Sequence, residues 1–328
     1  MKKSWFNFFR NLLLSAGLQL VLVSSQAEAR SPISNVVVFG EGAYLTSSGD
    51  SQPWAQTFPS EEDLRIKPDS GDSYRIGVSV EFENKLDLTA KFTGISSDSI
   101  SDSAVGTRRD PLYTIFGPNY QTFYTVGSAA VSSTHRIVDL EIGRTRDLFC
   151  RRCSSPSGTV RPFLGVRFLD SEQTTRTEMI YLPLPFYTAH ETHKSVFRGV
   201  GPSFGADIRR YLSSRWDFRA RAAGAVLFGD LRTTNSVTGG LAGFPGTSTT
   251  EISRTAYSLE AELALAREIP LRRSKIDIAF GYRLDAFHQV LDTTSETTIT
   301  GGTFGNSLED QIFHGPFIRL ALSHRVSR

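Results

Sequence analysis

Apolar and polar side chains alternate with a period of two along much of the chain. In "SYRIGVSVEF" (73–82), Tyr74, Ile76 and Val78 alternate with polar neighbours, and segments 216–228 and 275–287 repeat the pattern. Alternation places one set of side chains on each face of a β-strand, whereas a helix needs apolar residues three and four positions apart. Ten strands are predicted from this pattern: 34–47, 73–83, 86–97, 133–147, 160–172, 196–211, 216–230, 254–268, 275–290 and 311–326.

The lengths of the segments and of their connections favour a membrane barrel over a soluble sandwich. The alternating stretches within these segments run ~9–13 residues, which suits a tilted crossing of a bilayer, and aromatic residues lie near their ends, as in interfacial girdles. Long and short connections alternate, with "NK" (84–85) the shortest. The predicted long loops are 48–72, 98–132, 173–195, 231–253 and 291–310. The sequence therefore predicts an all-β fold, a transmembrane antiparallel up-and-down β-barrel of about ten strands with short periplasmic turns.

The N-terminus indicates export. A basic head at Lys2, Lys3 and Arg10, an apolar run over 12–23 and "AEA" at 27–29 are typical of a Sec signal peptide. We therefore predict a signal peptide over 1–29 and a barrel over 30–328, in the outer membrane of a Gram-negative bacterium. Cleavage takes the chain from 36 basic and 34 acidic residues to 33 of each. A neutral chain has no long-range field that gathers polyanions, so nucleic acid is not an expected partner.

Several segments carry a resemblance to a known family. "GVGPSFGADIRRYLSSRWDFRARAAGAVLFGD", "VDLEIGR" with "VRPFLGVRFLD", and the tail ending in "FHGPFIRLALS" are similar to the Legionella-type major outer-membrane, pore-forming protein family. The similarity extends from about Val36 onward, and the two Gly-Pro strands are its most specific pieces. The resemblance implies an outer-membrane β-barrel with a porin-like role.

The polar face of the strands is expected to line the lumen. The predicted lumen-facing residues are Arg75, Glu81, Lys91, Asp139, Glu141, Arg161, Arg167, Asp207, Arg209, Arg219, Arg221, Glu260, Glu262, Asp277, Arg283, Asp285 and Arg319. Such charges either line an aqueous path for small solutes or ions, or pair across the interior and close it. About ten strands lie between eight-stranded barrels filled by side chains and porins with ~16–18 strands, so both alternatives stay open.

Two Gly-Pro pairs predict irregular backbone. Proline cannot donate to the ladder and a closed barrel has no free edge, so a bulge is expected near the outer rim at Gly201–Pro202 and at Gly315–Pro316. The glycine spacing of this segment does not fit a dinucleotide-binding turn, and no βαβ unit surrounds it.

Other candidate chemistry is weaker. Cys150 and Cys153 lie in a predicted periplasmic turn, where a structural disulfide is favoured over a redox pair. His190 and His193 have metal-compatible spacing but fall in a predicted polar loop with no third ligand. His288, beside Asp285 and Asp292, is the one place where enzyme chemistry was sought. We predict no catalytic residue, metal or cofactor, and no enzyme activity.

The predicted function is porin-like passage or gating of small solutes or ions. The alternatives are a non-conducting structural or adhesin barrel that presents its loops, and an outer-membrane hydrolase. Expected partners are outer-membrane lipid, the passing solutes, and host or surface ligands at loops 48–72 and 98–132. A homo-oligomer is a further open alternative.

Overall fold

The fold was obtained as a computed structural model that describes residues 33–49, 51–57, 63–97, 100–105, 112–114, 126–149, 156–180, 188–239, 246–295 and 305–326. The predicted signal peptide and both cysteines, Cys150 and Cys153, lie outside these residues. Within the described residues, helix of the length and apolarity required to cross a bilayer is not found.

The described residues form fifteen strands. They are β1 (Ile33–Gly49), β2 (Gln52–Thr57), β3 (Asp63–Ile66), β4 (Gly71–Phe82), β5 (Leu86–Ser97), β6 (Ile100–Val105), β7 (Leu112–Thr114), β8 (Val126–Arg144), β9 (Arg146–Phe149), β10 (Pro156–Ile180), β11 (Thr188–Tyr211), β12 (Trp216–Gly239), β13 (Gly246–Pro270), β14 (Ser274–Ser295) and β15 (Gly305–Arg325).

Ten of these strands close into an antiparallel barrel, as the alternation predicted. The order around the ring is β1, β15, β14, β13, β12, β11, β10, β8, β5 and β4, and β4 pairs again with β1. Each of the ten predicted segments overlaps one barrel strand. The ring leaves no free edge, so every barrel strand has hydrogen-bonding neighbours on both sides.

The outer face of the barrel carries the apolar side chains. On β12, exposed Trp216 and Phe218 lie near the turn at 212–215, and exposed Phe228 lies twelve residues from Trp216. Twelve steps on a tilted strand rise about 28 Å, close to the ~25 Å apolar band of membrane barrels. Exposed aromatic side chains on other strands continue the upper boundary: Tyr44, Phe168 and Tyr257.

The prediction of long loops was wrong for three segments. The segments predicted as loops 173–195, 231–253 and 291–310 are mostly strand, and β12 continues eleven residues beyond Phe228 to Gly239. Above the membrane band the outer face of a strand is polar, so hydrophobic alternation weakens while backbone pairing continues. The pairing of Thr175 with His193 and of Thr233 with Ser195 shows this continuation.

The other two predicted loops contain strands of their own. β2, β3 and β7 form a separate three-stranded sheet in the order β3-β2-β7, and β6 pairs with the upper end of β8. Trp54 of β2 and Leu112 of β7 are buried against Val131, Met179 and neighbouring small residues. Because Val131 and Met179 belong to barrel strands, this small sheet, hereafter the cap sheet, packs on the upper end of the barrel.

Candidate functional site

The barrel interior brings the predicted lumen residues into contact with one another. Most of them form one buried group, hereafter the ionic layer: Arg75, Lys91, Asp139, Glu141, Arg161, Arg167, Asp207, Arg221, Glu260, Glu262, Arg283, Asp285 and Arg319. Arg209, Arg219 and Asp277 lie nearer the periplasmic turns, and Glu81 lies beside Asn35 at the end of the barrel. The contacts join strands that are not neighbours, so they cross the interior.

Glu260 is the centre of the ionic layer. Its carboxylate oxygens lie 3.0 Å from Arg75 Nη2, 3.4 Å from Lys91 Nζ, 2.9 Å from Arg167 Nη2 and 3.0 Å from Arg221 Nε. These cations come from β4, β5, β10 and β12, and β5 lies on the opposite side of the ring from β13. Buried charges are costly unless paired, and here each cation meets at least one carboxylate. The ionic layer therefore spans the interior of the barrel at this level.

Four acids within or just below the ionic layer were missing from the predicted set. Glu41 accepts hydrogen bonds from Arg283 and Arg319, and Asp87 accepts from Arg161. Nearer the turns, Asp217 and Glu268 pair with Arg209. Three of them could have been found by extending the same alternation: Asp87 shares the parity of Lys91, Asp217 that of Arg219, and Glu268 that of Glu262. Glu41 stands in an apolar run, and no sequence signal marks it.

An apolar layer lies above the ionic layer. It contains residues from nine of the ten barrel strands: Leu45, Ile95, Ile137, Leu169, Phe197, Ala225, Leu227, Leu231, Ala256, Phe287, Val290, Leu291 and Phe313. Phe197, Phe287 and Phe313 are at most 1% exposed. The ring of His135 stacks on Phe287 with centroids 4.9 Å apart and meets Phe313 edge-on at 5.0 Å. Only polar residues were predicted on the inner face, so this apolar layer differs from the prediction.

The inward residues of β8 show how the interior is filled. From the periplasmic end they run from Glu141 and Asp139, through Ile137, to His135 and then Ala129 below the cap sheet, and all five are buried. His135 Nδ1 lies 2.9 Å from Ser171 Oγ within a layer of buried hydroxyl and amide groups. Ionic, apolar, polar and cap layers thus follow one another along a single strand.

Open space is found at the periplasmic end. A cavity of about 620 Å³ is lined by the turn at 271–273 and by residues at the ends of β1, β13, β14 and β15. A second cavity of about 340 Å³ shares Val37, Arg209, Arg219 and Ala321 with the first and reaches Arg75 and Lys91. We call the two together the vestibule. It penetrates as far as the ionic layer.

The predicted bulges at the two Gly-Pro pairs are not found. Pairing of β11 with β12 is interrupted between Val200 and Ser203, and pairing of β1 with β15 is interrupted beside Gly315 and Pro316, yet the register is the same on both sides. Proline removes one donor, and the strand keeps its register because the opposite neighbour stays paired at both sites. Pro202 also lies near the middle of β11 rather than at its rim.

A bulge occurs instead on β14. The register with β15 shifts between Phe287 and Leu291, and Gln289 adopts a φ of 62°. Asp310 accepts a hydrogen bond from the Gln289 backbone at 3.3 Å and lies 2.8 Å from His288 Nδ1. The three-residue spacing places His288 on the face opposite to buried Asp285. The two side chains therefore do not come together as a candidate catalytic pair.

The two candidate metal histidines do not lie in a loop. His190 and His193 are on β11, where His190 is exposed and His193 is buried with Nδ1 2.6 Å from Asn235 Oδ1. Residues three apart on a strand point to opposite faces, which separates their side chains. Polar residues that pair above the membrane band were mistaken for a loop.

A carboxylate cluster lies at the base of the ionic layer. Ligand oxygens of Asp217, Glu268 and Asp277 lie within 4.8 Å of one another. Arg209 contacts Asp217 and Glu268, and Arg219 contacts Asp217 and Asp277. The two guanidinium groups therefore supply the positive charge that a cation would bring.

Comparison with known proteins identifies a family. The model of the Legionella pneumophila major outer membrane protein precursor matches residues 36–324. A comparison with curated protein sequences found no match.

Three solved structures share features of the architecture at low similarity. The outer membrane protease OmpT from Escherichia coli has 10% identity and a TM-score of 0.40 over 91% of this chain and 99% of its own. The translocator domain of autotransporter NalP from Neisseria meningitidis has 10% identity and 0.33 over 95% of both chains. A FadL homologue from Pseudomonas aeruginosa has 9% identity and 0.25 over 90% of both. With TM-scores below 0.5, nothing about activity is inferred from these three proteins.

Proposed function

We propose that this chain, which belongs to the Legionella pneumophila major outer membrane protein family, works as a closed barrel that carries an extended extracellular end. The protein is an outer-membrane β-barrel of a Gram-negative bacterium. In this proposal the membrane-spanning part is an anchor, and the long upper strands with the cap sheet form a surface structure without enzyme activity.

The filled interior carries this proposal. Arg283 of the ionic layer and its partner Glu41 have fully buried side chains, and Phe287 and Phe313 above them are buried as well. A hydrated ion crossing the barrel would have to break buried ion pairs and then displace packed aromatic rings. Both steps are costly, since a buried charge that loses its partner destabilises by ~3–5 kcal/mol.

Planar-bilayer recording on refolded protein tests the proposal. We expect wild-type protein to give no ion conductance, and the same result for Phe287→Ala combined with Phe313→Ala, because the ionic layer stays in place in that variant. Heat-modifiable migration in gels confirms that each sample is folded. Steady, solute-dependent conductance by the wild type would overturn the closed barrel.

Porin-like passage of small solutes or ions is the second candidate. The vestibule favours it, because an aqueous cavity lined by charged groups already extends from the periplasmic end to Arg75 and Lys91. Conduction would then require movement of the ionic and apolar layers. Liposome swelling by small sugars or amino acids, with a porin of known conductance as a positive control, distinguishes this candidate from the first.

The extracellular end is where partners other than lipid are expected. Residues 48–72 and 98–132 include the cap sheet and β6, which stand above the aromatic boundary. We propose that a host or surface ligand binds this part, while the exposed apolar band contacts outer-membrane lipid. Ligand binding by this part is tested by comparing the adhesion of cells that express the wild-type protein with that of cells that express a variant without residues 51–66. Equal adhesion would refute it.

A further inference from the structure

The vestibule has a charge distribution that neither proposed function uses. Its deep part is lined by paired groups: Arg209 lies 2.7 Å from Glu268, and Arg219 lies 2.8 Å from Asp277. Lys275 lies 3.5 Å from Glu268. Within this deep part each positive charge is balanced by a neighbouring carboxylate.

The mouth of the vestibule differs from its depth. Arg272, Arg273 and Arg325 line the cavity and are exposed, and among the described residues none of them lies within ion-pair distance of a carboxylate. Glu81 also lines the mouth, and its carboxylate accepts a hydrogen bond from the Asn35 side-chain amide at 3.5 Å. Three cations thus face one acid at the entrance.

We propose that the vestibule binds a small multivalent oxyanion of the pyrophosphate class. Guanidinium groups donate paired, charge-assisted hydrogen bonds that match phosphate oxygens. A cavity of about 620 Å³ is within the size range of small-molecule sites and holds such an anion with part of its hydration shell. The ionic layer ends the cavity, so the anion enters and leaves on the periplasmic side.

Two kinds of phosphate compound reach this end of the barrel. A soluble anion reaches the mouth from the periplasm, whereas a phospholipid headgroup reaches only the outer wall of the barrel. Arg144, Arg210 and Arg215 are exposed basic residues at the same end that do not line the vestibule. They provide a matched control with the same change of net charge.

Calorimetric titration of the refolded, full-length barrel with inorganic pyrophosphate in a zwitterionic detergent tests the proposal. We expect saturable one-site binding that weakens as salt is raised, because screening reduces attraction between exposed charges. Replacing Arg272, Arg273 and Arg325 together with alanine should weaken binding at least about tenfold.

Two further variants complete the test. The Arg144, Arg210 and Arg215 triple alanine variant should change the affinity by less than about twofold, and Glu81→Gln should strengthen binding about two- to fivefold by removing the opposing charge. Absence of saturable binding by folded wild-type protein overturns the proposal. An equal loss of affinity in both triple variants also overturns it. Binding that needs added phosphatidylglycerol and is lost when Arg144, Arg210 and Arg215 are replaced overturns it too, because the phosphate group bound is then that of a lipid headgroup.

Discussion

Removal of the central negative charge of the ionic layer should strongly destabilise the barrel. In Glu260→Gln the side chain keeps its shape, but Arg75, Lys91, Arg167 and Arg221 lose the carboxylate that they share. At contacts of 2.9–3.4 Å and an effective dielectric constant of about 20, each pair contributes about 5 kcal/mol of gross attraction. Desolvation of the ions offsets most of this attraction, so the net loss of unfolding free energy should be about 3–5 kcal/mol.

The measurement is urea unfolding of the barrel in phospholipid vesicles, followed by tryptophan fluorescence and extrapolated linearly to zero denaturant. Glu172→Gln is the matched control. Glu172 pairs with Lys194, and both side chains are more than two-fifths exposed, so this change should cost less than about 1 kcal/mol.

A second substitution separates charge imbalance from a general loss of packing. Adding Lys91→Met to Glu260→Gln removes one of the cations left without full compensation. The double variant should be more stable than the sum of the single effects predicts. Equal, small effects of Glu260→Gln and Glu172→Gln, or strict additivity in the double variant, would refute the reasoning.

Three other changes test the outer face, the backbone and the cap sheet. Leu263→Arg, at the middle of the apolar band, should lower the unfolding free energy by about 2–4 kcal/mol, whereas Glu251→Arg above the band should not; equal effects in vesicle unfolding would contradict a lipid-facing Leu263. Gly201→Ala would place a Cβ 1.8 Å from a carbonyl oxygen of the facing strand and should cost about 1–3 kcal/mol. Gly42→Ala meets nothing within 4 Å, and an equal urea midpoint for both variants would contradict this expectation. Trp54→Ala removes a fully buried side chain, so the β2–β3 segment should be cut faster by protease added to intact cells, and an unchanged cleavage rate would argue against packing of the cap sheet on the barrel.

The membrane-spanning half of the barrel was predictable because one physical rule governs it. Lipid on one face and charged groups on the other impose strict alternation, as at Arg75 between Tyr74 and Ile76. The rule also predicted which charged residues would share a face. It did not predict which charged residues pair, because the partners of Glu260 lie 39 to 185 positions away from it in the sequence.

The upper half of the barrel was less predictable because this rule does not apply above the membrane. Above the aromatic boundary the outer face is polar too, so Thr175 and His193 stand in stretches without apolar alternation although their strands are paired. The apolar layer was missed because Phe197 and Phe287 have the parity of the charged inner face. Because they alternate in step with the inward charged residues, the same pattern would have placed them inside the barrel if a polar lumen had not been expected.

Closure of the ring also limits when the protein can fold. Asn35 of β1 pairs with Arg325 of β15, so the seam joins residues 290 positions apart in the chain. Contacts at such separation form slowly, since a long loop must close before they contribute. Until β15 arrives, β1 and β14 remain open edges that can pair with other chains. The last strand to be exported therefore decides whether the earlier ones reach the membrane as a barrel or aggregate in the periplasm.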